Sequence, residues 1–364
     1  MNFPYQWYLS DGYPAKGIEK HGLKVFSCFA CGGGSTMGYK LAGYEVIGCN
    51  EIDKRMMQAY QKNHSPKYAF LEGIQDFKNR TDLPGELYAL DILDGSPPCS
   101  SFSVVGARER DWGKEKKFKE GQTEQVLDTL FFDFIDLAEK LKPKVVVAEN
   151  VKGLLLGNAK SYVRRIYKAF DSAGYYVQHF LLNASAMGVP QNRERVFFIA
   201  LRKDLAGPFL YQKNLFDIVP RLKLDFKESP ILFSDIQEKE ATQGHKSVLK
   251  CYSDIWEHRQ PGDSAIADTM YRVKGKRSYF QTYIYSDKVC PTIVAGDKTL
   301  LFDQCRHLTD RELCFAGTYP LDYDFRSLKK EYLIGMSVPP VMIAKIANQI
   351  YKQWLKPLKT QYHV

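Results

Sequence analysis

Along the first 200 residues, short continuous apolar runs alternate with stretches in which apolar side chains return every three or four positions. The runs read as buried strands and the periodic stretches as helices with one apolar face. Strands are expected at 23–30, 44–53, 89–93, 144–148, 176–182 and 195–200. Helices are expected from the glycine turn after residue 30 through Ala42, and over 54–63, 122–141 and 162–173. The 122–141 pattern is the clearest, with Val126, Leu130, Phe134, Leu137 and Leu141 on one stripe. Crossover helices between strands force a largely parallel sheet, so the fold class expected is α/β with a mostly parallel sheet. Beyond residue 200 the alternation stops. Irregular polar segments, scattered aromatics and pieces such as SYFQTYIY point to a second, smaller domain. A helical pattern returns over 339–355, with Met342, Ile346 and Ile350 on one face, and is expected to pack back on the first domain.

Open α/β sheets collect their working residues beyond the carboxyl ends of the strands. Four features fall there. Gly32, Gly33, Gly34 and Gly38 follow the first strand, where glycine permits tight turns and close backbone approach to a ligand. Glu51 ends the second strand, near the offset expected for an acid that accepts from ribose hydroxyls. The spacing is not G-x-G-x-x-G, which disfavours a nicotinamide dinucleotide. The third strand delivers GSPPCSSFS, in which Pro97 and Pro98 stiffen the approach to Cys99. Locally, Cys99 reads as a small buried apolar residue ahead of a reactive thiol. Glu149 follows the 144–148 strand.

Composition narrows the class. The 364 residues are 45% hydrophobic, enough for a sizeable core, and carry a formal charge of +9. That charge suits a polyanionic partner and serves solubility equally well. No uninterrupted apolar run reaches the roughly 20 residues of a bilayer span, and the N-terminus lacks the order of a signal peptide. A cytoplasmic protein, or a nuclear one in a eukaryote, is expected. Cys28 and Cys31 form a single CxxC among eight cysteines. With no second CxxC, reduced thiols and no bound metal are expected.

Taken together and in order, these motifs resemble the DNA (cytosine-5) methyltransferase family over roughly residues 22–355. FACGGG and NEID resemble its cofactor motifs, GSPPCSSFS its nucleophile motif, AENVKGLL its glutamate motif and VPQNRERVFFIA its paired-arginine motif. CPTI at 290–293, LTDREL at 308–313 and IGMSVPP at 334–340 resemble its closing elements. The resemblance implies a Rossmann-like S-adenosyl-L-methionine-dependent core that methylates a flipped cytosine in duplex DNA, in a restriction-modification setting. RNA is the alternative substrate, a catalytically impaired nucleic-acid-binding relative the alternative role, and a monomer fits the reading. Cys99, Glu149, Arg193 and Arg195 would be catalytic. Phe29, Gly32, Gly33, Gly34, Glu51, Ile52, Ile74, Pro98, Leu130, Ser337 and Val338 would bind the cofactor.

The domains implied are an N-terminal extension at 1–21, a catalytic domain at 22–200, a target-recognition domain at 201–300 and closing motifs at 301–364. Arg193 and Arg195, two apart on the approach to a strand, are expected to share a face. The charged segment 104–121 is suited to closing over DNA with Arg108 or Arg110 on phosphate, and RVKGKR at 272–277 to a phosphate contact or a solvent-facing turn. Three positions depart from the family pattern. Cys31 stands at the first glycine of the loop, Gly73 where many members carry an acid, and Met336 where an asparagine is expected.

Overall fold

The computed structural model describes residues 3–98, 129–156, 159–212, 218–239, 252, 254–278, 281–296 and 299–361. Cys99, the 104–121 segment and the 122–128 part of the expected helix lie outside the described residues. The chain forms two compact units. The larger comprises Tyr13–Asn183, Glu194–Asp225 and Ile343–Val364; the smaller comprises Met1–Gly12, Ala184–Arg193 and Phe226–Met342.

The larger unit is built on a seven-stranded sheet. Its strands are β1 (Lys24–Cys28), β2 (Glu45–Glu51), β3 (Tyr68–Leu71), β4 (Ile92–Gly95), β5 (Val145–Val151), β6 (Tyr175–Asn183) and β7 (Glu194–Arg202), in spatial order β3-β2-β1-β4-β5-β7-β6. Helices α1 (Gly34–Leu41), α2 (Lys54–His64), α3 (Ile74–Asn79), α4 (Leu130–Leu141) and α5 (Ala159–Ser172) connect them. The α4 stripe of Leu130, Phe134, Leu137 and Leu141 packs into one core with Phe26, Leu93 and Val146. Asp53 caps α2, its carboxylate accepting from the backbone N–H of Arg55 (2.7 Å) and Met56 (3.1 Å).

Two features of the sheet differ from the alternation read in the sequence. The sequence does not announce β3, because YAFL is a four-residue edge strand with no fully buried side chain rather than a buried run. β7 runs antiparallel to both β5 and β6 while every other neighbouring pair is parallel. The segment 184–193 between β6 and β7 is too short for a crossover helix, so the chain returns as a hairpin beside β5.

A two-stranded ribbon, β8 (Leu210–Gln212) and β9 (Ile218–Pro220), also belongs to the larger unit. Gln178 Nε2 on β6 donates to Pro220 O, and Trp354 Nε1 donates to Arg221 O (2.8 Å). These bonds explain why residues 201–225 group with the sheet. The C-terminal helical run joins them, with Tyr44 OH donating to Ala347 O (2.9 Å).

In the smaller unit, α6 (Ile266–Lys274) packs with the parallel pair β10 (Thr282–Ile284) and β11 (Thr299–Leu301) around Trp256, Ile266, Met270, Tyr283 and Leu300. Helix α7 (Asp310–Gly317) starts at a capping box in which Thr309 Oγ1 accepts from Glu312 N–H and Glu312 accepts from Thr309 N–H. Residues 1–12 belong here, Trp7 Nε1 donating to Thr318 O (3.0 Å). The helical run 330–360 is long and apolar enough to span a bilayer on composition alone, but 83% of its apolar window is buried within the protein, as in a core helix.

Candidate active site

The strand order of the larger unit reverses between β1 and β4, and a crevice beyond the carboxyl ends at such a point is where open α/β sheets bind ligands. The glycine turn follows β1 and the proline corner follows β4. Backbone strain concentrates in the turn. Phe29 (φ 52°) and Cys31 (φ 49°) are non-glycine residues in the left-handed region, and Gly33 follows at φ 87°. A Cβ on Gly33 would lie 2.2 Å from His64 Nε2, so only glycine fits. His64 sits against this turn with Nε2 3.2 Å from Gly32 O, and burial pushes its pKa down to about 3, which keeps the ring neutral.

Glu51 ends β2 beside the turn. Its Oε2 accepts from Cys31 N–H (2.7 Å) and its Oε1 from Asp53 N–H (2.9 Å). Burial raises its pKa, and these backbone donors pull the other way. A carboxylate fixed through both oxygens, beside a turn whose glycine cannot carry a side chain, fits an adenosine ribose with its hydroxyls donating. Ile52 lies within 3.7 Å of the Cβ position on Gly73, the residue before α3. Phe29 is half-buried and faces the Phe134 ring, 6.4 Å between centroids. Ile74 and Leu130 are buried in the core cluster that holds Phe134. Glu51→Ala should weaken S-adenosylmethionine binding by about 1.5–3 kcal/mol, the scale of a hydrogen bond to a charged group. Calorimetry checks this, and unchanged affinity in a folded variant would remove Glu51 from the site.

On the catalytic side, β4 and β5 pair with Gly95 opposite Ala148, one residue before Glu149. A Cβ on Gly95 would sit 2.5 Å from the Phe134 ring, so glycine lets the chain pass close to α4. Asn150 Nδ2 donates to Pro97 O (3.1 Å), tying the proline corner to the end of β5. The sequence reading gave Asn150 no role; an amide directly after the strand-end glutamate was the available signal. Pro98 is half-buried, and Cys99 follows it. Glu149 Oε1 accepts from Arg195 Nε at 2.9 Å, with both side chains largely buried. The antiparallel register explains this contact: Glu149 faces Phe197, and Arg195 is its diagonal neighbour on the same face.

β7 begins at Glu194, so Arg193 lies before the strand alternation starts and belongs to the smaller unit. It is 2% exposed, and its guanidinium donates to the carbonyls of Ile293, Gly335 and Ser337, each at 2.9 Å. Gln191 works beside it, accepting from Ile293 N–H (3.1 Å) and donating to Ala316 O (2.9 Å). Together they staple the CPTI and IGMS segments. Ser337 and Val338 are buried in this unit, where Ser337 Oγ accepts from Tyr319 OH (2.6 Å), while Met336 is exposed. RVKGKR lies at the surface, with Arg272, Lys274 and Arg277 paired to Asp263, Asp254 and Asp268. Among the described residues, no group of three or more His, Cys, Asp or Glu side chains could hold a metal ion.

A doubly wound sheet with a glycine turn and ribose-type acid on one side of the switch point, and a buried Glu–Arg pair on the other, defines a Rossmann-like methyltransferase core. Residues 23–352 match the C-5 cytosine-specific DNA methylase family, and the chain belongs to that family. It is 30% identical over 347 residues to the type II methyltransferase M.FnuDI of Fusobacterium nucleatum, covering 90% of this chain and 94% of that one. It is also 30% identical over 351 residues to M.Bsp6I of Bacillus sp. (strain RFL6), covering 92% and 100%. Among solved structures, a prophage-encoded DNA modification methyltransferase from E. coli shares the fold with a TM-score of 0.62 at 20% identity, over 91% and 99% of the two chains. The protein is thus a cytosine-5 methyltransferase that uses S-adenosyl-L-methionine.

Proposed function

We propose that the protein methylates C5 of a cytosine flipped out of a specific duplex DNA sequence, through a covalent bond to Cys99, as the modification half of a restriction system. The observation that carries this reading is the Asn150–Pro97 bond, which fastens the segment leading to Cys99 beside the Glu149–Arg195 pair. The relatives named type II methyltransferases support the DNA substrate and the restriction setting.

Cytosine C5 is a poor nucleophile until a thiolate adds at C6. The Cys99 sulfur forms the S–C6 bond, and the C5–C6 π electrons become available at C5. Glu149, oriented by Arg195, shares a proton with N3 as the ring gains electron density. The Arg195 guanidinium adds fixed positive charge at that edge. S-adenosylmethionine, which the glycine turn and Glu51 would hold, would supply the methyl group to the C5 electron pair, its S–CH3 bond breaking to leave S-adenosylhomocysteine. A base then takes the C5 proton, and the electrons of the C5–H bond restore the double bond as Cys99 leaves. C6 is inaccessible inside a duplex, so the base must be extruded. Arg193 acts as a positioning residue for the loops that it staples.

Methylated-cytosine sequencing of DNA exposed to the protein tests the substrate, with structured RNA as a parallel arm. Methylation at one recurrent DNA sequence supports the reading, and transfer to RNA alone overturns it. Exchanging 226–300 should change the sequence modified and leave cofactor affinity within about twofold, since the glycine turn and Glu51 lie in the other unit. Unchanged site selectivity in a folded exchange would place target recognition elsewhere.

A further inference from the structure

We propose that Asp94 is a positioning residue whose ionisation couples solution pH to how firmly the cofactor turn and the proline corner are held together. The inference rests on the cofactor site described above. Asp94 is the next-to-last residue of β4, immediately before the Gly95-Ser96-Pro97-Pro98 corner, and is 2% exposed. In the parallel register it lies beside Ser27 of β1, whose Oγ donates to Asp94 Oδ2 at 2.8 Å. Tyr39 OH on α1 donates to Oδ1 at 3.2 Å.

One carboxyl group therefore joins the strand that delivers the proline corner, the strand that delivers the glycine turn and the helix after it. Nothing in the transfer chemistry requires an acid here, and the strand is otherwise apolar. An ionised carboxylate is acceptor-only and takes both hydroxyl donors at once. A protonated acid must donate its own hydrogen, so one of the two contacts is turned around or lost. The helix that carries the glycine turn is then held less firmly against β4.

Burial raises the Asp94 pKa to about 7, with Ser27, Tyr39 and Ser35 pulling downward and the Glu149 charge pushing upward. The titratable groups facing it are Cys28 on β1, Tyr39 on α1, Tyr60 on α2 and Glu149 on β5. Burial pushes the thiol of Cys28 and both phenols well above their ordinary values, so they stay neutral. Glu149 is the charged neighbour. Because the ionised form holds the turn, cofactor binding favours it, lowers its pKa and releases a proton.

The test measures S-adenosylmethionine affinity by calorimetry across roughly pH 6 to 8.5, which brackets the folded-state titration, and apo melting temperature across roughly pH 4 to 8.5, which spans the unfolded and folded pKa values. Both are measured for the parent and for Asp94→Asn. Parent affinity should rise severalfold through about pH 7, while the asparagine variant stays flat near the parent's acid-side value. Apo stability should move the other way. A folded-state pKa raised above the unfolded value gives stability that is lost as pH climbs through the folded pKa. The parent should therefore lose stability relative to Asp94→Asn as pH rises from about 4, the unfolded carboxyl value, to about 7, and the difference should level off above that. If Asp94→Asn does not fold, Tyr39→Phe removes one donor and should shift the parent's midpoint upward. A cofactor pH slope unchanged by Asp94→Asn, or a midpoint unmoved by Tyr39→Phe, overturns the coupling alone. A parent that binds no cofactor at any pH overturns both the coupling and the site.

Discussion

Cys99→Ser should abolish methyl transfer, by on the order of 10³-fold or more, the scale on which losing a nucleophile falls. The volume change is small, so folding and cofactor affinity should survive. A hydroxyl at neutral pH carries far less nucleophilic electron density than a thiolate, and no other described cysteine can take its place. Cys28, Cys49, Cys290, Cys305 and Cys314 are buried, and Cys31 packs its sulfur against Met56 Sδ at 3.5 Å. A duplex with 5-fluorocytosine at the target traps the intermediate, because fluorine cannot depart as the C5 proton does. Incubated with S-adenosylmethionine, the parent should form an adduct that mass spectrometry places on Cys99. The serine variant should form none. An adduct on another cysteine, or full transfer by Cys99→Ser, would end the covalent mechanism proposed here.

The elements that place this chemistry were legible wherever local pattern and burial coincide. Val145, Val146, Val147 and Ala148 read as a buried strand and are fully buried in β5, and Glu51 ends β2 as its run of apolar residues indicated. Legibility failed where long-range pairing decides the outcome. The direction of β7 depends on the short 184–193 return, which apolar periodicity does not report. Strand alternation begins only at Glu194, one residue too late to include Arg193. The three carbonyls that Arg193 binds come from residues 100 to 144 positions away, beyond any local signal. Asp94 and Asn150 are likewise defined by partners on other strands. An acid in an otherwise apolar strand was the one visible sign of Asp94.

Glu149→Gln should reduce turnover by about 10²–10⁴-fold, the range for losing a group that transfers a proton in the transition state. The amide keeps an oxygen for Arg195 Nε, so the fold should be retained, but it cannot share a proton with the ring. Glu149→Ala should behave differently. It strips a largely buried guanidinium of its carboxylate, and breaking such a pair from one side costs about 3–5 kcal/mol because a buried charge is left unpaired. Replacing Arg195 with methionine in the alanine background removes that orphaned charge and should recover much of the lost stability without recovering turnover. Cofactor affinity should hold in Glu149→Gln, since the turn that Glu51 secures is built from β1 and β2 rather than β5. Melting curves, cofactor calorimetry and single-turnover transfer together separate these effects. If Glu149→Gln turned over like the parent, the pair would be a structural ion pair and proton sharing at N3 would have to come from another group.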